Sequence, residues 1–350
     1  MFRFHRVESI NSWTIIATRV VSVVAALMVG AALFAAAGYD VPMLADSVTR
    51  GSFGNLFALE DLGLLVSPLI LTGLAAAVTL RIGLWNIGGE GQFYAGAIAA
   101  TVIGIKVQGD PAVMLVVLAA AGFIGGALWI LIPALARAYL AVDEIITTLL
   151  LNFVALLLVN YLSTGPLRDP GQAVTSATAR VPYEVPPLAG DLHWGLVVAV
   201  VLAVVMALVL AYSRWGYEVR LAGANRFAAH YAGIPVARRL LQTMLLSGGL
   251  AGLAGMLEVT GTVHRLQGGI SNNFGYLGVM VAVLAGGQPM GVLPAAVLMA
   301  AILNGGIVLQ SYGVSIYEVL ALTGLILLFI AVGEQLAYFR LPRTARRPSR

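Results

Sequence analysis

Long apolar runs separated by short polar breaks dominate the chain. The first, VVSVVAALMVGAALFAAAG at 20–38, holds 19 residues without a charge. Comparable runs occupy 62–80, 91–105, 112–136, 145–162, 194–213 and 240–263. A helix needs ~20 apolar residues to cross ~30 Å of hydrocarbon, so these runs predict seven membrane helices, the one at 91–105 being short. Residues 266–317 are harder to divide, because they form 52 consecutive positions without Asp, Glu, Lys or Arg. The break LAGGQPMG at 284–291 splits them into a short span at 277–288 and a full one at 291–310, and a tenth span follows at 316–334. A count of eight or nine also fits if 277–310 is re-entrant.

The expected fold is therefore all-α: a polytopic membrane protein of about ten transmembrane helices, with broken helices near residues 81–92 and 284–291. Its layout is an N-terminal segment (1–12), a membrane domain (13–334) and a basic tail (335–350). Arg3 and Arg6 ahead of the first run imitate a signal peptide, but a charge-free run of 19 residues exceeds the usual cleavable core. We read it as a retained first span.

Charge orients this arrangement, since Arg and Lys gather in cytoplasmic loops. With the N-terminus inside, the inner segments hold 14 basic residues: Arg3, Arg6, Arg81, Arg137, five between Arg214 and Arg239, and five from Arg340 onward. The outer segments hold four, Arg50, Arg168, Arg180 and Arg265. Both termini are expected in the cytoplasm. The outer loop at 163–193 is rich in proline and small polar residues, a surface segment that either meets a partner or merely connects two spans.

Composition agrees: 60% of the 350 residues are hydrophobic, 10% are charged and the mean hydropathy is +0.93, well outside the range of soluble domains. Without cysteine there is no disulfide, thiolate metal site or cysteine nucleophile. The four histidines lie in loops or at span ends without metal-ligand spacing, so no metal and no cofactor is expected. No basic stripe is interleaved with aromatics, which argues against nucleic acid. No phosphate-binding G-x-x-x-x-G-K-[ST] occurs, and the only lysine, Lys106, ends a span. The chain is not expected to hydrolyse ATP or to be an enzyme.

Polar groups inside the spans are the candidates for function, because a charge at the bilayer centre costs about 2.5–3.5 kcal/mol on insertion scales. In LWNIGGEGQFYAG (84–96), Glu90 sits among glycines at the first break, expected near the inner side. Its carboxylate either contacts a solute or holds the turn by accepting from helix ends or pairing with Arg81. Asn86 and Gln92 can donate and accept towards sugar hydroxyls or a base edge. Asn152 and Asn304 lie deeper and either bridge helices or line the same pathway. Glu258, near the outer end of its span, is expected to snorkel outward. GGLAGLAG (248–255) and AGFIGGA (121–127) place small residues where helices approach closely. The two breaks echo each other in position, as broken helices do in transporters built from repeats.

The inner segment 214–239 contains a short capped helix: Asn225 as N-cap, RFAAHYA as two turns, Gly233 for the left-handed end and Pro235 as the stop. Composition alone leaves two readings, a docking element or an amphipathic helix resting on headgroups.

NIGGEGQ (86–92), VDEIITTLLLN (142–152), GANRFAAHYAGI (223–234) and AVLAGGQPMG (282–291) together resemble ABC importer permeases of the branched-chain amino acid and ribose type. The likeness covers roughly residues 60–335 and is greatest to the nucleoside uptake branch that is described as simple-sugar transporting. It implies a bacterial plasma-membrane permease passing a nucleoside or simple sugar inward. The implied partners are ABC ATPase subunits, a second, related but different permease chain, an extracytoplasmic solute-binding protein and the lipid bilayer. By the same resemblance, 223–234 is the coupling helix, with Asn225, Ala228, Ala229, Tyr231 and Gly233 at the ATPase. The alternatives from the residues themselves are an ion-coupled secondary transporter, which needs deep carboxylates that the charge-free stretch lacks, and an intramembrane enzyme, whose catalytic constellation is missing.

Overall fold

The computed structural model describes residues 5–6, 12–171, 176–337 and 339–340; the rest of the expected N-terminal segment and of the basic tail lies outside the described residues. In chain order the elements begin with β1 (His5–Arg6), α1 (Ser12–Ala36), α2 (Val41–Phe53), α3 (Leu56–Leu80) and α4 (Gly89–Lys106). Then come α5 (Pro111–Leu140), α6 (Glu144–Thr164), β2 (Pro187–Ala189), β3 (Leu192–His193), α7 (Gly195–Tyr212), α8 (Arg214–Ala224) and α9 (Arg226–Tyr231). α10 (Val236–Leu257) continues through a π-helical turn (Glu258–Thr262), followed by α11 (Phe274–Leu284), α12 (Pro289–Ser311), α13 (Ile316–Ala337) and β4 (Phe339–Arg340).

Each of the ten expected spans is a helix. Eight helices among the described residues are long and apolar enough to cross a membrane, which makes the chain an all-α, multi-pass membrane protein. The other two, α4 and α11, adjoin the expected breaks, and α11 at 11 residues covers about 16 Å, half the hydrocarbon thickness. Polar residues start the helices where the sequence leaves the apolar runs. Asp110 accepts from the Ala112 and Val113 amides at 3.0 and 3.2 Å to open α5, and Asp143 accepts from Ile145 at 2.8 Å to open α6.

The chain divides into two compact units, one of Met1–Asn55 with Ile302–Arg350, the other of Leu56–Ala301. In the first, α1 packs along α13 and Leu44, Leu309, Val314 and Val319 form a small core. Tyr39 donates to Glu318 at 2.8 Å. α2 had no counterpart in the hydropathy reading, since Asp46, Thr49 and Arg50 interrupt its apolar positions; Asp40 caps it by accepting from the Met43 amide at 3.1 Å.

In the second unit α4, α5 and α10 pack against one another through the two expected small-residue runs. A Cβ on Gly252 would fall on the Gly122 carbonyl, one on Gly126 on the Gly248 carbonyl, and one on Gly96 on the Gly252 carbonyl. Only bare backbone lets the three axes come this close. One end of this unit gathers the end of α3, the start of α6, α8 and the end of α11. There, Trp85 N donates to Glu144 at 3.3 Å, Glu144 pairs with Arg137 at 2.9 Å, and Arg81 Nε donates to the Gly287 carbonyl at 2.7 Å.

The opposite end carries the long loop, whose described residues from Thr178 onward are packed down. Thr178 N donates to Leu266 O at 3.0 Å, Val181 N to His264 O at 2.9 Å and Val185 N to Thr260 O at 2.9 Å. Tyr183 bridges to the end of α4 by donating to Val107 O at 3.1 Å, and Arg265 pairs with Asp169 at 2.8 Å, holding that carboxyl below its usual range. Buried His193 accepts from the Gly195 amide at 3.0 Å. Burial first, then the charge of His264, lowers its pKa from 6.5 to about 4, so it folds neutral. The corresponding stability is complete above pH 6.5 and is lost as pH falls towards about 4, by about 3 kcal/mol at most. His193→Gln should therefore flatten the fall in melting temperature across that window; an unchanged difference from wild type at pH 7 and pH 4.5 would refute it.

Candidate functional site

Glu90 stands where two helices begin. Beyond Leu80 the chain turns at Arg81–Gly83, returns through a non-helical stretch and starts α4 at Gly89. Gly275, in the first turn of α11, lies so close that a Cβ there would strike the backbone of Glu90. Two helix N-termini thus abut, each presenting unpaired amides and a partial positive charge. The Glu90 carboxylate answers the α11 end: Oε2 accepts from Gly275 N at 3.0 Å, Oε1 accepts from the Ser271 hydroxyl, and the Tyr276 amide adds a further bond. Asn273, at the N-cap position of α11, makes no side-chain cap bond, so Glu90 supplies that cap from another helix.

Glu90 and Arg81 lie apart. Glu90 meets the start of α11 and Arg81 meets Gly287 just past its end, so the two are separated by about 16 Å, the rise of 11 residues. Gly278 packs on Thr72 of α3, so Glu90 lies back along α3 from the turn at Arg81–Gly83. The reason is the non-helical return at 82–88, which climbs back into the unit before α4 begins. Arg81 is bonded to Gly287 and is not the partner of Glu90, and the two breaks do come together, through that bond.

Around Glu90 the amides form a closed network. Asn86 Nδ2 donates to Gln92 Oε1 and Gln92 Nε2 to Asn86 Oδ1, both at 2.8 Å. Asn86 Nδ2 also donates to Ser247 of α10 at 2.8 Å, and Ser247 donates to Ala75 O at 2.7 Å. Asn152 of α6 accepts from Gly91 N at 2.8 Å and donates to Ile87 O at 2.9 Å. All four side chains, Asn86, Glu90, Gln92 and Asn152, are at most 5% exposed, so protein groups take up the contacts a solute would need. Asn304, in the other unit, donates to Gly51 O at 3.2 Å and Ser52 Oγ at 3.3 Å. Ser247, Ser271 and Gly275 were missed in the sequence, where a neutral hydroxyl or a glycine in an apolar run gives no signal.

Glu258 does not snorkel. It is 5% exposed, at the π-helical turn that ends α10, with Thr262 as hydrogen-bonding partner. The extra residue of the π turn rotates its side chain into the unit, beneath the packed loop.

The short capped helix is present as α9. Asn225 accepts from Ala228 N at 3.0 Å, Gly233 has φ +77°, and Ala229 is buried. Phe227 and Tyr231 point outward at 82% and 91% exposure. α8, which carries α9, is clamped to α10. Glu218 pairs with Arg239 at 2.5 Å and Arg214 at 3.0 Å, which holds its carboxyl below the usual range, and Gln242 accepts from both Arg239 and Trp215. Among the described residues no cluster of His, Asp or Glu is arranged to hold a metal.

The family of the branched-chain amino acid transport system / permease component matches residues 58–332. The guanosine ABC transporter permease protein NupP of Bacillus subtilis is 33% identical over 318 residues, 89% of this chain and 91% of that protein. The glucose ABC transporter permease protein TsgB13 of Haloferax volcanii is 33% identical over 347 residues, 95% of this chain and 91% of its own. The nucleoside ABC transporter permease protein NupB of Lactococcus lactis is 28% identical over 325 residues, 89% of each. No solved structure gives a significant match. Ten helical segments in the expected order, two breaks joined at Arg81 and Gly287, and a match through nearly all of them lead to one assignment: the chain belongs to the branched-chain amino acid transport system / permease component family.

Proposed function

We propose that the chain is the transmembrane permease subunit of an ABC importer, passing a nucleoside or simple sugar inward. The observation that carries this reading is the likeness to guanosine, nucleoside and glucose permeases over about nine tenths of the chain. It performs no covalent chemistry. ATP is hydrolysed by separate ATPase subunits, which dock on α9 through Asn225, Ala228, Tyr231 and Gly233, whereas Ala229, expected among these contacts, is buried against its own chain; the two outward aromatics, Phe227 and Tyr231, support a protein partner. A second, related permease completes the pore, and a solute-binding protein delivers cargo at the end covered by the 163–193 loop. The α9 end and both termini face the cytoplasm, in keeping with its share of the basic residues.

Within the pore, Asn86, Glu90, Gln92 and Asn152 border the route as the group that holds the helix break open to rearrangement; Asn304 of α12 bonds within its own unit. The test is reconstitution of the chain with its ATPase, companion permease and binding protein in proteoliposomes, followed by uptake of labelled nucleosides and hexoses. Proline holds φ near about −65°, against +77° at Gly233, so Gly233→Pro is expected to lower ATP-dependent uptake about tenfold or more. Uptake that survives ATP depletion but collapses with an ionophore overturns the reading in favour of an ion-coupled transporter.

A further inference from the structure

The segment that carries α9 bears directly on the first helix break. A Cβ on Gly223, one residue before the end of α8, would strike the Arg81 carbonyl oxygen, with Arg81 C and Ile82 Cα both about 3.0 Å away. Gly83, at φ +74°, faces the Gly223 carbonyl from the other side. Here two backbones touch with no side chain between them to cushion a displacement. The same Arg81 reaches the second break, donating through Nε to the Gly287 carbonyl at 2.7 Å, and Gly287 rests over Leu80. Three segments distant in sequence, at 223, 81–83 and 287, therefore meet at one residue.

The mounting on either side is stiff. α8 is held to the start of α10 by Glu218 between Arg214 and Arg239, and by Gln242 between Arg239 and Trp215. Beyond the contact, the chain from Arg81 leads to Trp85, tied to Glu144, and then to Asn86, tied to Gln92 and Ser247. A shift of α8 and α9 as one body has no soft element in which to dissipate before it reaches Arg81, and from Arg81 it is passed to both breaks together.

The geometry points to Gly223 and Arg81 as the mechanical contact that couples the α8–α9 segment to both broken helices, with Arg81 a positioning residue that never touches the solute. This deepens the proposed function and rests on its reading that α9 docks an ATPase. Coupling between two sites is typically about 5- to 150-fold, and a substitution at a residue between them changes it by roughly 2- to 30-fold.

The experiment compares Arg81→Leu, Arg81→Lys and Gly223→Ala in the full importer complex, measuring ATPase capture, ATP hydrolysis, melting temperature and solute taken up per ATP. For Arg81→Leu, capture and hydrolysis are expected to stay within about twofold of wild type while solute moved per ATP falls about tenfold. Arg81→Lys, which restores a donor towards Gly287, should recover part of the loss. Gly223→Ala should uncouple likewise; Arg81→Leu introduces no clash and decides the matter if Gly223→Ala fails to assemble. A residue that only supports the fold would lower hydrolysis, uptake and melting temperature together, and that result, or unchanged uptake per ATP, overturns the proposal. A wild-type chain that captures no ATPase is a different failure, one that removes the docking reading beneath it.

Discussion

Leucine in place of Gly252 is expected to abolish folding of the helical unit formed by residues 56–301. Gly252 is approached from two sides: Gly96 of α4 lies against its carbonyl, while Gly122 and Gly126 of α5 lie against its own Cβ position. Lipid-facing helices gain no hydrophobic free energy from meeting one another, so this crossing is held by backbone contact and dispersion. Inserting extra carbon into a packed core that can relax costs about 1–3 kcal/mol, but here the neighbours are backbone atoms of two helices and neither can rotate away. The loss should exceed about 4 kcal/mol, a large part of the 5–15 kcal/mol by which domains are ordinarily stable. Gly252→Ala should be intermediate. Gly324 of α13, with nothing within 4 Å of its Cβ position, is the control, and Gly324→Leu should leave expression and melting temperature unchanged. The measurement is monodisperse yield and thermal denaturation in detergent; a Gly252→Leu protein melting within a few degrees of wild type would mean that the crossing is looser than drawn.

Those glycines were legible because small residues at helical spacing have one main use between membrane helices. The α9 cap was legible for a related reason: Asn225 bonds to Ala228 and Gly233 closes the same turn, so the whole motif lies within nine residues. What escaped was anything that joins distant segments. Glu90 bonds to Ser271 and Gly275 across more than 180 positions, and neither partner is charged, so no pairing signal existed. Arg81 was the nearest charge in sequence and looked a reasonable partner, yet a guanidinium satisfied by a backbone carbonyl leaves no trace in composition either. The separation of Glu90 from Arg81 escaped because hydropathy registers helices that cross and not a stretch that turns back inside. Residues 82–88 were legible as a break, but not as a return that carries the chain back along α3 before α4 begins. Glu258 was misjudged by a similar omission, since a π turn shifts a side chain around the helix without altering its hydropathy.

The cap formed by Glu90 leads to the second large effect, and to a means of separating its two possible duties. Glu90→Leu removes the acceptor for the Gly275 and Tyr276 amides at a buried position, while the Ser271 hydroxyl keeps Tyr94 Oη as an acceptor at 3.1 Å. Each orphaned buried donor costs roughly 1–3 kcal/mol, so the two amides alone should destabilise by about 2 kcal/mol or more. It also returns two like helix-end dipoles to each other without an intervening negative charge, a further loss of a few tenths to about 2 kcal/mol. Glu90→Gln keeps a carbonyl oxygen for Gly275 and turns an NH2 towards Ser271 Oγ, which can accept, so only the charge contribution is lost and the cost should stay near 1 kcal/mol. The expected order in melting temperature is wild type, then Gln, then Leu by a wide margin, with protease cleavage appearing within 264–273 in the Leu variant as α11 loses its cap. If Glu90 instead served the solute directly, both substitutions would lower uptake while leaving melting temperature and cleavage as in wild type. A Leu variant as stable as the Gln variant would therefore remove the cap from the account of this site and hand the carboxylate to the pathway.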